Sequence, residues 1–99
     1  MNNSRSSFSI EEEDIMRQEP YIDVDVHGMT AEQAIEKIED LIRRANISTY
    51  RIRVVHGFNR GNSIQRAIYR EIGHGLNSRV LRIVGGDNPG ITELILREF

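Results

Sequence analysis

Ninety-nine residues, 38% of them apolar, are enough for one small domain around a single core. No cysteine is present, which removes disulfide frameworks and thiolate metal sites, and no apolar run approaches the ~20 residues of a membrane-spanning helix. The net charge of −2 hides an asymmetry: residues 43–86 carry nine arginines against one acid, Glu71, a local excess of +8.

Residues 1–20 hold five acids (Glu11, Glu12, Glu13, Asp14 and Glu19) and two arginines, and sustain no apolar period. They are expected to form an acidic, flexible tail. Pro20 marks its boundary with a domain over residues 21–99, because proline resists continuation of a helix. No apolar signal region follows Met1–Arg5, so a cytoplasmic setting is expected.

Tyr21–His27 alternates, with Ile22, Val24 and Val26 on one face and Tyr21, Asp23, Asp25 and His27 on the other. That pattern predicts a strand with one buried and one polar face. Thr30 is a good N-cap, with Gln33 placed to complete a capping box. The helix that follows runs to about Ala45, on the stripe Ala34, Ile35, Ile38, Leu41, Ile42 and Ala45. Tyr50–Val55 is a second strand, and His56–Gly61 a loop. A second helix starts at Asn62 or Ser63, with Gln65 again spaced for a capping box, and ends at Gly73 or Gly75. His74 is read as a loop residue. Arg79–Val84 and Ile91–Leu96 are the third and fourth strands, joined by a turn rich in glycine.

The order is therefore β-α-β-α-β-β, an α+β, two-layer sandwich. Helical crossovers join parallel strands, and two of them moving the same way put both helices on one face of the sheet. The other face stays open, which suits the polar side of the first strand. The last strand runs antiparallel to the one before it.

Functional groups gather at the C-terminal ends of parallel strands, where His27 and His56 both fall. Asp25 lies one pleat behind His27 on the same face. A carboxylate there orients the imidazole and suits it to general acid or base work. Asp-x-His is also common by chance, as a surface pair at a strand end. His56 follows Ile52 and Val54 toward the helices, so a structural role stands beside a functional one. The loop residues Gly57, Phe58, Asn59, Arg60 and Gly61 lead to a helix N-terminus, where free amides attract anions. Arg60 adds a guanidinium there, and an exposed Phe58 would stack on a base. Arg51, Arg53 and Arg82, expected on the open sheet face, extend this into a phosphate-binding surface. The bland alternatives are an ordinary turn and a solvated charged face.

These residues resemble the Smr domain, named from small MutS-related proteins. The resemblance covers residues 21–97 and rests on Asp25-Val26-His27-Gly28, similar to the family's Asp-Leu-His-Gly, and on the loop His56-Gly57-Phe58-Asn59-Arg60-Gly61, similar to its His-Gly-x-Gly. Arg66, near the start of the second helix, belongs to the same likeness. The family implies a mixed sheet of order 1-2-4-3, as in the C-terminal domain of translation initiation factor three. It also implies nucleic-acid binding and, in several members, endonuclease activity: some nick DNA and others cleave messenger RNA on stalled ribosomes. Carried over, Asp25 and His27 form the catalytic pair, and His56, Gly57 and Gly61 map to the loop. Val26 replaces a leucine and Asn59 a glycine, and the loop is one residue longer before the helix.

The expected function is thus nucleic-acid binding with phosphodiester cleavage of RNA or flexible DNA. His56 and Arg60 would hold the scissile phosphate, with Arg51, Arg53, Arg66 and Arg82 on the backbone. No cofactor is expected, although Asp23 and Asp25 could share a divalent ion. A non-catalytic nucleic-acid-binding module is the nearest alternative. A protein-interaction adaptor acting through the acidic tail and acidic first helix is another.

Overall fold

The computed structural model describes residues 20–58, 61–72 and 79–98. The expected tail (residues 1–19), Asn59, Arg60, His74 and the glycines expected to end the second helix lie outside these. The described elements are β1 (Tyr21–Asp25), α1 (Ala31–Arg44), β2 (Arg51–Val55), α2 (Ser63–Glu71), β3 (Arg82–Gly85) and β4 (Ile91–Ile95).

Thr30 opens α1 as its side chain suggests. Its hydroxyl accepts from the Gln33 amide, and the Gln33 side chain accepts from the Thr30 amide, each at 3.1 Å. Arg43 and Arg44 occupy the last turn, where the negative end of the helix dipole favours cations. The expected stripe is the one buried: Ala34, Ile35, Ile38, Ile42 and Ala45 are in the core, with Leu41 packed against it. In α2 the core positions are Ile64, Ala67 and Ile68, continued by Ile72. Its expected capping box is absent. Asn62 holds the N-cap position at φ −128°, ψ 26°, and its side chain makes no capping hydrogen bond. Spacing alone supplies the residue types for a box, but not the extended backbone that Thr30 adopts at ψ 159°.

The four strands form one sheet in the order β1-β2-β4-β3. β1 and β2 are parallel, in register Ile22 to Ile52 and Val24 to Val54. β4 runs antiparallel to both of its neighbours, so β3 points the same way as β1 and β2. The α+β architecture and the order 1-2-4-3 implied by the resemblance are therefore present. β3 begins at Arg82 rather than Arg79; the Arg79 guanidinium donates to the carbonyls of Arg43 (3.0 Å) and Ala45 at the end of α1.

Val24, Val26, Ile52, Val54 and Leu94 share one core with the stripes of both helices. Ile38, Ile42, Ile52 and Ile68 are each fully buried there, at roughly 1.5–3 kcal/mol apiece. The opposite face carries Asp23, Asp25, Arg51, Arg53 and Glu93 by strand alternation. β4 is central and is buried on both faces, which its sequence Ile-Thr-Glu-Leu-Ile does not advertise.

Candidate nucleic-acid site

β1 ends at Asp25 for a local reason. One oxygen of the Asp25 carboxylate accepts from the His27 backbone amide at 3.0 Å and from His27 Nδ1 at 2.6 Å. Aspartate bonding two residues onward bends the backbone out of an extended path. The Val26 amide still reaches Val55 O at 2.9 Å, and the Met29 amide closes a turn onto Val26 O at 3.1 Å. Gly28 occupies that turn at φ +81°.

The Asp25–His27 pair is exposed, with 59% and 71% of the two side chains accessible to solvent. The carboxyl of Asp25 is held below its ordinary value of 3.8, first by the hydrogen bond from the His27 ring and then by the one from its backbone amide. Ionised, it accepts only, so Nδ1 carries the proton; in the neutral ring the lone pair is then on Nε2. An exposed imidazole with one nitrogen anchored and the other free is equipped to take or give a proton.

His56 sits differently. It is buried, as its alternation with Ile52 and Val54 suggests. Its Nδ1 donates to Gly57 O and its Nε2 meets the Thr92 hydroxyl, both at 2.8 Å. A carbonyl can only accept, so Nδ1 carries a proton; in the neutral ring Nε2 then accepts a hydrogen bond from the Thr92 hydroxyl. Both ring nitrogens are thereby committed to holding the loop. The amides of His56 and Gly57 both donate to Gly90 O, at 2.9 and 3.1 Å, tying the loop to the β3–β4 turn. Neither Thr92 nor Gly90 stands out in the sequence. A signal does exist for Thr92, since alternation puts this polar residue on the helix side of β4.

Gly57 adopts φ +83°, and a Cβ there would lie 3.6 Å from His27 Cβ. The two strand ends therefore meet. Between them and α2 lies a cleft of about 650 Å³, lined by His27, His56, Gly57, Phe58, Gly61 and the first turn of α2 through Gln65. Phe58 is 61% exposed at its edge. With no side chain from Asn62 over them, the leading amides of α2 border this cleft, an arrangement that attracts anions.

The arginines expected on the open face are engaged, Arg51 and Arg53 on that face and Arg82 on the edge strand β3. Arg51 pairs with Glu93 at 2.6 Å and lies over the Tyr21 ring at 5.5 Å. Arg53 has Asp87 at 3.4 Å, and Asp23 and Glu93 at 3.7 Å. Arg82 pairs with Glu98. Arg66 is exposed and has no ion pair among the described residues. No group of three His, Asp or Glu side chains gathers as a metal-ligand set among the described residues. Asp23 stands beside Arg53, and Asp25 is bonded to His27.

A mixed sheet of order β1-β2-β4-β3 covered by two helices defines a class of small two-layer α+β domains, here with an Asp–His pair beside a glycine loop at the ends of two parallel strands. The Smr domain family matches residues 24–87, and the protein belongs to that family. Its structure is similar to the crystal structure of the Smr domain of Thermus thermophilus MutS2. The two share 21% sequence identity at a TM-score of 0.68, over 78% of this chain and 99% of that one. At that identity the likeness speaks for the fold. No curated protein sequence matches the chain. No helix among the described residues is long and apolar enough to cross a membrane.

Proposed function

We propose that the protein binds nucleic acid in the cleft at the ends of β1 and β2 and cleaves a phosphodiester bond there, in RNA or flexible DNA. The observation that carries this reading is the 2.6 Å Asp25–His27 contact, exposed and bordering the cleft. His27 Nε2 takes the proton of the attacking oxygen, a ribose 2′-OH in RNA or a water in DNA, as that oxygen bonds to phosphorus; the P–O bond to the leaving nucleoside breaks, and its oxygen takes a proton from solvent. Asp25 holds the ring and stabilises the imidazolium that forms. The leading amides of α2 meet the charge that develops on the phosphate. Arg60, adjoining the cleft in sequence, adds a cation, and Phe58 stacks on a base. His56 acts as a positioning residue, through Gly57 and Gly90.

The test is a nuclease assay on single-stranded RNA and DNA. His27→Ala is expected to lower the rate about 10²–10⁴-fold, the usual yield of a general base, and Asp25→Asn to lower it less. Unchanged cleavage by the double variant would sink the mechanism. One observation favours binding without turnover: with His56 committed to the loop, His27 is the one imidazole among the described residues that keeps a ring nitrogen open to the cleft. Salt-sensitive binding with no product would select that reading.

A further inference from the structure

Beyond the cleft, a second groove runs between α2 and the edge strand β3. It encloses about 740 Å³ between Arg66, Tyr69 and Arg70 on one side and Leu81, Arg82 and Ile83 on the other. Gln65 lines both the groove and the cleft, so the two adjoin at that residue. Gln65 and Tyr69 are four residues apart, as are Arg66 and Arg70, which puts all four on neighbouring rows of one helix. Those rows lead from the leading amides of α2 along the groove.

Two properties distinguish this surface. Tyr69 and Leu81 are 41% and 57% exposed, so flat and branched apolar surfaces stand open in one place. Arg66 is also free of the carboxylates that engage Arg51 and Arg53 on the open sheet face. That face carries two arginines against Asp23, Asp87 and Glu93. No carboxylate lines the groove among the described residues; the carboxylates that reach its arginines are Glu71, 3.1 Å from Arg70, and Glu98, on Arg82. All four side chains are well exposed, and exposed pairs of this kind exchange readily for a phosphate.

We propose that this groove is the track for a single strand of nucleic acid whose scissile phosphate lies at the Asp25–His27 pair. The proposal rests on the reading of that pair given above. Tyr69 stacks on a base, Leu81 covers apolar base surface, and Arg66 and Arg70 take the phosphates on either side. The nine residues of α2 rise about 13.5 Å, the length of about four stacked nucleotides at ~3.4 Å each. Phe58, exposed at the cleft, supplies a second stacking surface before the strand enters the groove. A duplex keeps its base faces covered and has nothing to offer Tyr69. An acidic peptide would satisfy the arginines but would leave both aromatic rings unused.

Binding of a labelled single-stranded oligouridine to the full chain, followed by fluorescence anisotropy, tests this. Tyr69→Ala should weaken binding about ten-fold, and Tyr69→Phe should restore it, because phenylalanine keeps the ring. Arg66→Ala with Arg70→Ala should make the log–log salt dependence shallower by about 1.4, for two single-strand phosphates. A duplex of the same length should bind more weakly and ignore Tyr69→Ala. Oligouridine bound equally well by the parent and by Tyr69→Ala would overturn the track and leave the cleft reading intact. An oligouridine that the parent does not bind at all overturns both. Preference for a peptide of residues 10–19 over the oligouridine assigns the groove to an acidic protein segment instead and overturns the proposal.

Discussion

His56→Ala removes two hydrogen bonds from a ring that is only 7% exposed. Each is worth about 0.5–1.5 kcal/mol net. The Thr92 hydroxyl, fully buried, then loses its partner, a desolvation cost of about 1–3 kcal/mol. Because these contributions overlap, the expected loss is roughly 2–4 kcal/mol. For a small domain that lowers Tm by roughly 10–30 °C, at about 4–8 °C per kcal/mol. Urea unfolding followed by far-UV circular dichroism measures it, with an unchanged m-value showing that the unfolded state is not altered. Thr92→Val removes the same contact from the other side while keeping the shape. The double variant should be less destabilised than the sum of the singles by about 1 kcal/mol or more. A loss below about 0.5 kcal/mol for His56→Ala, with strictly additive effects, would refute the buried contact and reopen a chemical role for this ring.

Two further outcomes follow from the geometry. The carboxyl carbon of Asp25, followed by NMR, should titrate below the ordinary 3.8, and His27→Ala should return it toward that value. Because the folded pKa is the lower one, the stabilisation from this pair is complete above the unfolded carboxylate range. It fades as pH falls through the depressed folded value; a midpoint indifferent to His27→Ala would show that the pair does not form in solution. Gly57→Ala forces a side chain into left-handed backbone beside His27. It should cost about 1–2 kcal/mol through the backbone strain, while the added methyl meets His27 Cβ at an ordinary 3.6 Å and leaves the imidazole in place. Wild-type stability in that variant would contradict the left-handed backbone at Gly57.

What could be read from the sequence was what is local. The Thr30–Gln33 box, the stripe of α1 and the inward direction of His56 all follow from periodicity within a few residues. Asp25 and His27 are two residues apart, so one pleat brings them together. The excess of +8 over residues 43–86 overstates the local charge because neutralisation is long-range. Asp23 comes from β1, Glu93 from β4, Asp87 from the turn and Glu98 from beyond the sheet. A linear count cannot see partners that strand pairing delivers. Thr92 escaped for the same reason, being 36 residues from the ring it meets. The empty cap at Asn62 shows a smaller version of this limit, since residue type and spacing say little about backbone angles.

The Gly90 carbonyl, which receives the amides of His56 and Gly57, has a consequence for when the protein becomes competent during synthesis. Domains assemble from the N-terminus as the ribosome delivers them, and β1, α1 and β2 emerge together early. β4 is nevertheless the strand that lies between β2 and β3. Until residues 90–95 leave the exit tunnel, the His56–Gly57 loop has no acceptor and the His56 ring has no hydroxyl to hold. The cleft is therefore assembled last, by the most C-terminal strand described. A nascent chain carries the Asp25–His27 pair well before it carries the anchors of the neighbouring loop.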